Sequence, residues 1–384
     1  MISRRSALLG MGAGLVAPWI AGRAVAADGP LVVPIAIQGP RILVAVGIDG
    51  QGPFFFLIDT GGTLSLIDNA LARQLKLPVV SGHLIRGGNG KSTSSALYRA
   101  REVSIGNVVR DGNLAFNGVD GFGFGEDIRG TLAAGALTAY DSVLDLDRGE
   151  WRIYRNGLPD LPGFTPIESD VGHPTRHGSA YMYATASLDG QSYRFLLDTG
   201  APAGVRLYPE AVRRSSLWGK GSYAPVRSSG VGGRGAIDRI VRAGALNLGG
   251  IAFDRPLVHL DGGGRGQRVA DGVIGFAVLR QLNIATDVRH GRLLIERNRL
   301  KPPPERASTS GLWIDQRGDT LVVADVGRGS PAAAAGIVPG DIIAGHRLGE
   351  VVHALGSGAG ATVGLTIEHD GTPRRVSIAL ADYL

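Results

Sequence analysis

Two copies of the tripeptide Asp-Thr-Gly are the residues of this chain best suited to chemistry. The copies are Asp59-Thr60-Gly61 and Asp198-Thr199-Gly200. Each follows an apolar run, so each delivers a carboxylate at a tight turn, where glycine permits close approach of another chain segment. Two facing carboxylates cannot both ionise and would share one proton. The ionised acid could then take a proton from water while the protonated acid polarises a carbonyl group.

The residues before each triplet repeat as well, which indicates a duplicated unit. The repeated motif is Ile48-Asp49-Gly50-Gln51 in the first half and Leu188-Asp189-Gly190-Gln191 in the second half. An Asp-Gly pair between apolar runs is a strong hairpin signal, because the turn requires positive φ. We therefore expect each triplet on the second strand of a hairpin.

A second repeated element lies downstream of each triplet. Ala133-Ala134-Gly135 aligns with Val273-Ile274-Gly275, which makes Gly135 the counterpart of Gly275. A short helix is expected between triplet and downstream element in each copy, over Asp68 to Leu75 and over Pro209 to Ser216, because Asp68 and Pro209 are plausible start signals.

These paired triplets and downstream elements resemble the aspartic peptidases of the pepsin and retroviral-protease type, over roughly residues 30 to 297. The resemblance implies a mainly β, bilobal fold of antiparallel strands. It implies an endopeptidase that needs no cofactor or metal and acts on polypeptide substrates in the cleft between the lobes. Asp59 and Asp198 would be catalytic, Thr60 and Thr199 would cross-link the two turns, and the triplet glycines would allow the turns to approach.

The same family covers its site with a glycine-rich hairpin, termed a flap. Each half of this chain offers one candidate at a similar distance beyond its triplet. The candidates are Gly87-Gly88-Asn89-Gly90 and Gly230-Val231-Gly232-Gly233. Two such segments favour the two-flap arrangement of the retroviral type. The alternative is that both are ordinary surface turns.

The chain changes character near residue 300, where Lys301 to Glu305 includes three prolines typical of a semi-rigid spacer. The following segment contains Gly329-Ser330-Pro331-Ala332, Ala335-Gly336-Ile337 and Gly340-Asp341-Ile342-Ile343. On these residues it resembles a PDZ domain, a small β/α domain. Its candidate carboxylate-binding loop is Gly311-Leu312-Trp313-Ile314. Such a domain captures peptide C-termini by adding a strand to its sheet. The alternative is that its groove holds the protein's own segments. We expect domains at 27–160, 161–298 and 310–384, with 299–309 as linker.

The first 26 residues are typical of a twin-arginine signal peptide. Arg4 and Arg5 precede an apolar stretch, and Ala24-Val25-Ala26 is a small-residue cleavage pattern. We expect export to the periplasm or secretion, with no stable membrane span after cleavage. An uncleaved N-terminal anchor is the alternative.

Composition narrows the function classes. The chain has 384 residues, 44% of them hydrophobic, which is enough for sizeable cores. It contains no cysteine, which excludes a thiol nucleophile. The net charge is +6, and three arginines leave with the signal peptide. The remaining basic residues are scattered among acids, so we expect no nucleic-acid partner.

Two function classes remain from the sequence. The first is an exported aspartic endopeptidase whose C-terminal domain docks substrates or partners. The second is a non-catalytic peptide-binding or scaffolding protein on the same fold. Both triplets are intact, which favours the enzyme.

Overall fold

The computed structural model describes residues 29–86, 92–120, 127–171, 181–227, 236–263, 269–302, 305 and 307–384. The expected signal peptide and both expected flap segments, residues 87–90 and 230–233, lie outside these ranges. The described chain is mainly β and forms two lobes followed by a C-terminal unit, defined here as residues 307–384.

The first lobe contains ten strands and two short helices in its described part. They are β1 (Leu31–Ile37), β2 (Ile42–Ile48), β3 (Gln51–Asp59), β4 (Leu66–Asp68), α1 (Asn69–Gln74), β5 (Val79–Arg86), β6 (Ser92–Ile105), β7 (Val109–Val119), β8 (Ile128–Ala133), α2 (Gly135–Thr138), β9 (Asp141–Asp145) and β10 (Glu150–Tyr154).

The second lobe follows a similar order, with thirteen strands and two short helices in its described part. Its elements are β11 (Thr165–Pro166), β12 (Ser169–Asp170), β13 (Tyr183–Leu188), β14 (Gln191–Asp198), β15 (Val205–Leu207), α3 (Pro209–Arg214), β16 (Ala224–Arg227), β17 (Ile237–Arg242), β18 (Ala245–Leu248), β19 (Ile251–Asp254), β20 (Leu257–Leu260), β21 (Gly272–Gly275), α4 (Phe276–Leu279), β22 (Leu282–Asp287) and β23 (Arg292–Arg297).

The C-terminal unit is a five-stranded antiparallel sheet with two helices, in the strand order β24-β25-β26-β27-β28. Its elements are β24 (Leu312–Arg317), β25 (Thr320–Val326), α5 (Pro331–Ala334), β26 (Ile342–Ala344), α6 (Leu348–Leu355), β27 (Thr362–His369) and β28 (Thr372–Ala379). Its buried apolar side chains form a cluster separate from that of the lobes.

The two lobes share one sheet. Strand β9 of the first lobe pairs antiparallel with β22 of the second, and Val143 lies opposite Ala285. Beside this pair, the hydroxyl groups of Ser142 and Thr286 are 2.9 Å apart and hydrogen-bonded. One continuous cluster of buried apolar side chains runs through both lobes. The lobes therefore form a single packed body on which the two triplets are held.

The hairpin prediction is confirmed in both lobes. Asp49 and Gly50 turn between β2 and β3 with φ of 47° and 78°, and Asp189 and Gly190 turn between β13 and β14 with φ of 50° and 81°. Both aspartates also accept backbone N–H bonds of 2.7–2.9 Å from a neighbouring segment. The donors are Arg101 and Glu102 in the first lobe and Gly244 and Ala245 in the second. Each turn thus also anchors its hairpin to the rest of its lobe.

The two predicted helices are present. Helix α1 begins after Asp68, whose carboxylate accepts the N–H of Ala70 at 2.7 Å and so caps the helix. Helix α3 begins at Pro209, where the missing N–H costs nothing because the first turn has no helical partner for it.

The predicted equivalence of Gly135 and Gly275 is wrong. Parallel pairing places Asp59 beside Ala133 and Asp198 beside Gly275, so Ala133 is the counterpart of Gly275. The shared sheet agrees, because Val143 and Ala285 are also 142 positions apart and lie opposite each other. Matching glycine to glycine in sequence shifted the alignment by two residues, because pairing between distant strands selects the register.

Within the described residues, no helix is both long enough and apolar enough to cross a membrane.

Candidate active site

Both triplet aspartates stand at the end of a buried strand. Asp59 ends β3, which runs parallel to β8, and Asp198 ends β14, which runs parallel to β21. The preceding side chains, Ile58 and Leu197, are buried in the core. The carboxylates are therefore placed by two sheets rather than by loops, which favours a rigid geometry.

The threonines join the two turns reciprocally. The hydroxyl of Thr60 donates to the carbonyl oxygen of Leu197 at 2.7 Å, and the hydroxyl of Thr199 donates to that of Ile58 at 2.6 Å. Each hydroxyl also accepts the other threonine's N–H, at 2.9 Å from Thr199 and 3.1 Å from Thr60. Both threonine side chains are buried. This network fixes one triplet against the other, as the sequence predicted.

The triplet glycines lie against the opposite carboxylates. A Cβ atom on Gly61 would overlap the carboxylate of Asp198, and one on Gly200 would overlap that of Asp59. Only glycine permits this approach in each turn. The two carboxylates are thereby brought into one site, as expected for a dyad.

Backbone amides hold the orientation of each carboxylate. The N–H of Gly61 donates to Oδ1 of Asp59 at 3.1 Å. Oδ1 of Asp198 accepts the N–H groups of Gly200 at 2.8 Å and Ala201 at 3.0 Å. Hydrogen bonds of this kind stabilise the ionised form of a carboxyl group.

Burial and mutual repulsion change the acidity of the pair. Burial, together with the negative charge of Asp198, raises the pKa of Asp59 to about 7. Burial also raises the pKa of Asp198, against the opposing effect of the N–H bonds from Ala201 and Gly200. The two groups titrate as a coupled unit. One proton on the pair at mildly acidic to neutral pH is the state suited to acid–base chemistry on water.

A cavity borders the loop that follows each triplet. The first has a volume of about 420 Å³ and includes Leu64, Tyr140 and Trp151 in its lining. The second has a volume of about 470 Å³ and includes Pro202 and Ile240. Sequence reasoning missed both cavities, because their walls come from strands distant along the chain.

A buried charge cluster lies behind the second cavity, and sequence reasoning missed it too. Nε2 of His259 is 2.7 Å from Asp238, and Arg206 donates to Asp261 at 3.0 Å. These contacts connect β17, β20 and β15, the last of which pairs with β21 beside Asp198. The cluster holds together the strands that support the second triplet. Only His259 and Asp261 are close in sequence, so no single motif indicates the cluster.

The predicted loop Gly311-Leu312-Trp313-Ile314 leads into and forms the start of β24. A groove of about 660 Å³ lies between β24 and α6, and this loop lines it from Leu312 onward. The N–H of Gly311 donates to Ser308 Oγ at 2.9 Å, and that of Leu312 donates to Ser310 Oγ at 3.2 Å. Two of the amides expected to bind a carboxylate are therefore occupied by serine hydroxyls in this structure.

Among the described residues, no cluster of three or more His, Asp or Glu side chains is arranged to hold a metal ion.

A sequence model of the family described as "Aspartyl protease" matches this chain twice, over residues 44–136 and 184–278. Each match contains one Asp-Thr-Gly triplet with its hairpin. Both lobes match the aspartyl protease family. The C-terminal unit lies outside both matches.

Among solved structures, the chain matches basic 7S globulin from soybean, at 11% identity and a TM-score of 0.38, and edgp, at 10% identity and a TM-score of 0.40. Each similarity covers 70% of this chain and 95% of the other chain. No curated protein sequence matches the chain.

Proposed function

We propose that this protein is an aspartic endopeptidase in which Asp59 and Asp198 are the catalytic pair. The observation that carries the proposal is the site itself, in which two half-buried carboxylates are held face to face by reciprocal threonine bonds and by glycines that leave room for them. Acids that are partly withdrawn from water beside each other are costly to keep without a role.

The chemistry follows from one shared proton. The ionised acid takes a proton from a water molecule as its oxygen attacks the scissile carbonyl carbon, and the protonated acid gives its proton to the carbonyl oxygen. The tetrahedral intermediate collapses when the acid that took the proton from water gives it to the peptide nitrogen, the C–N bond breaks, and one hydroxyl of the intermediate returns its proton to the other carboxylate. The dyad then returns to its singly protonated form. Burial and the contact with Asp198 raise the pKa of Asp59, whereas the N–H bonds to Asp198 oppose the rise in its own pKa. Asp198 is therefore favoured as the ionised member and Asp59 as the proton carrier.

The C-terminal unit is proposed to be a PDZ-like domain that docks peptide C-termini. Support comes from the groove between β24 and α6, because β24 is an edge strand to which an extended peptide can add. Displacement of the Ser308 and Ser310 hydroxyls by a carboxylate would complete this binding mode. Export through the twin-arginine signal is proposed on the sequence of residues 1–26 alone.

The test is hydrolysis of an unfolded protein across pH by the wild type, Asp59→Asn and Asp198→Asn. We expect either substitution to abolish hydrolysis, since each removes one half of the dyad. Wild-type activity should decline above about pH 7, as the shared proton leaves Asp59. Asp254→Asn, at an exposed position of the same fold, is the matched control and should remain active. A folded wild type that binds peptides without cleaving them would instead identify a binding protein.

A further inference from the structure

The C-terminal unit is docked on the second lobe by direct contacts. Arg328 donates to the carbonyl oxygens of Gly221 at 2.7 Å and Gly219 at 3.0 Å. The hydroxyl of Tyr223 donates to Asp325 at 3.0 Å, and that of Tyr383 donates to the carbonyl oxygen of Tyr223 at 3.1 Å. The unit is therefore packed against the lobe rather than carried freely on a spacer.

Two glycines show how closely the surfaces fit. A Cβ atom on Gly327 would overlap the carbonyl oxygen of Tyr223, and one on Gly329 would overlap the side chain of Ser222. In addition, Glu305 of the linker accepts the N–H of Leu257 at 3.0 Å and pairs with Arg242 at 2.5 Å. These contacts fix the position of the groove relative to the second lobe.

One residue of the second lobe forms part of the groove wall. Arg227, the last residue of β16, lines the groove and donates to Oδ2 of Asp315 on β24 at 2.8 Å. The other carboxylate oxygen of Asp315 accepts the indole N–H of Trp313 at 3.2 Å. The side chains of Arg227 and Asp315 are 19% and 21% exposed, so the pair is largely shielded from water. The groove therefore belongs to both parts of the molecule.

The groove has the features that an extended peptide requires. No strand of the described part of the chain pairs with the outer edge of β24, which leaves backbone groups for an added strand. The facing helix α6 presents Leu348, Val352 and Leu355 to the groove, and Val352 is 57% exposed despite being apolar. An apolar C-terminal side chain fits this lining, and Arg227 stands beside the part of β24 that such a peptide would follow.

Paired strands connect Arg227 with the surroundings of the second triplet. Strand β16 pairs with β17, and β17 pairs with β20. Ile240 of β17 lines the same cavity as Pro202, four residues after Asp198. A contiguous route of the kind that can carry coupling therefore runs from Arg227 to the loop beside the dyad.

We propose that a peptide bound along β24 contacts Arg227 and thereby raises hydrolysis at the dyad. The site is thus a composite one, and its occupant is an extended peptide with a free, apolar C-terminus. A bound peptide would add contacts to strands β16 and β17 and so order them. Substrate binding at the dyad would then lose less conformational entropy than it does without the peptide. This inference rests on the proposed function for both the dyad and the groove.

The first part of the test separates binding from activity in the full-length chain. Binding of a five-residue peptide ending in leucine is measured with the Asp59→Asn variant. The same peptide with an amidated C-terminus is the control, because it lacks the free carboxylate. Hydrolysis of a separate substrate with an amidated C-terminus is measured on the wild type. We expect the free peptide to bind and to raise kcat/KM roughly fivefold, at the lower end of typical coupling between sites. The amidated peptide should do neither.

Variants locate the effect in the groove. Val352→Lys should abolish both binding and activation, because it places a charge among the apolar side chains of α6. Val338→Lys is the matched control, since Val338 is 41% exposed in the same unit and lies outside the groove lining. It should retain binding and activation.

The double substitution Arg227→Met with Asp315→Asn tests the link to the second lobe and removes both charges of this pair. We expect peptide binding to persist and activation to disappear. Peptide binding with unchanged kcat/KM in the wild type would overturn the coupling and leave the proposed function intact. Absence of binding would overturn the groove assignment, whereas absence of hydrolysis by the folded wild type would overturn the proposed function and the coupling together.

Discussion

The two triplets make matching bonds to each other, whereas the strands around them carry different side chains in the two lobes. Thr60 and Thr199 bond reciprocally. On the paired strands β9 and β22 the counterparts Val143 and Ala285 differ, and the counterpart of Gly275 is Ala133. Symmetry is therefore retained in the bonds that join the triplets, and it is relaxed in the side chains of the surrounding strands.

The largest expected effect comes from breaking the symmetric contact. Gly61→Ala and Gly200→Ala should each lower kcat/KM roughly 100-fold, since each Cβ displaces the opposite carboxylate and small misplacements of reacting groups are costly. Steady-state kinetics on folded variants measures this. Gly364→Ala is the control, because nothing lies within 4 Å of its Cβ position. A large loss for only one of the two variants would contradict the symmetric geometry.

Substitutions at Gly275 and at its counterpart Ala133 should lower the unfolding free energy by different amounts. Gly275→Ala places a Cβ against the carbonyl oxygens of Ala203 and Ala201, and overpacking of this kind costs roughly 1–3 kcal/mol of unfolding free energy. Ala133→Gly should cost about 0.5–1 kcal/mol, since it only adds chain entropy to the unfolded state. Urea unfolding measures both. Equal costs would contradict the tighter surroundings of Gly275 compared with Ala133.

Removing the hydroxyl group of either triplet threonine should have a smaller effect, of similar size in the two lobes. Thr60→Val and Thr199→Val keep the side-chain shape but remove a hydroxyl and leave a buried N–H and a buried carbonyl without their partner. Each should cost about 1–2 kcal/mol of unfolding free energy. Serine at either position keeps the hydroxyl and should recover most of the loss. Unequal losses of unfolding free energy for the two valine variants would show that one threonine contributes more than the other to the contact between the lobes.

The raised pKa of Asp59 also predicts how stability depends on pH. Because the pKa of Asp59 is raised to about 7, the folded protein holds a proton that the unfolded chain has released above about pH 4. Wild-type stability therefore falls as pH rises from about 4 to about 7, and the charge-free Asp59→Asn lacks this contribution. The Tm of Asp59→Asn relative to that of the wild type should therefore rise by roughly a few degrees between about pH 4 and about pH 7. A constant Tm difference would contradict the raised pKa.

Prediction from sequence succeeded for features encoded within a few residues. The Asp49-Gly50 turn and the start of α1 at Asp68 each depend on local backbone chemistry. It failed for the alignment of Gly135, because the partner of a parallel strand is selected by packing across the sheet. The cavities, the His259–Asp238 contact and the position of Arg227 in the groove also join residues from distant segments.

The sequence by itself determined that two aspartates end two similar strands, and that glycine and threonine accompany each of them. Only the tertiary structure decided that the carboxylates face each other, that burial raises their pKa values and that Arg227 reaches the C-terminal unit. Turn conformations follow from the φ preferences of neighbouring residues. Desolvation and contact between lobes arise only when chain segments more than a hundred residues apart pack together.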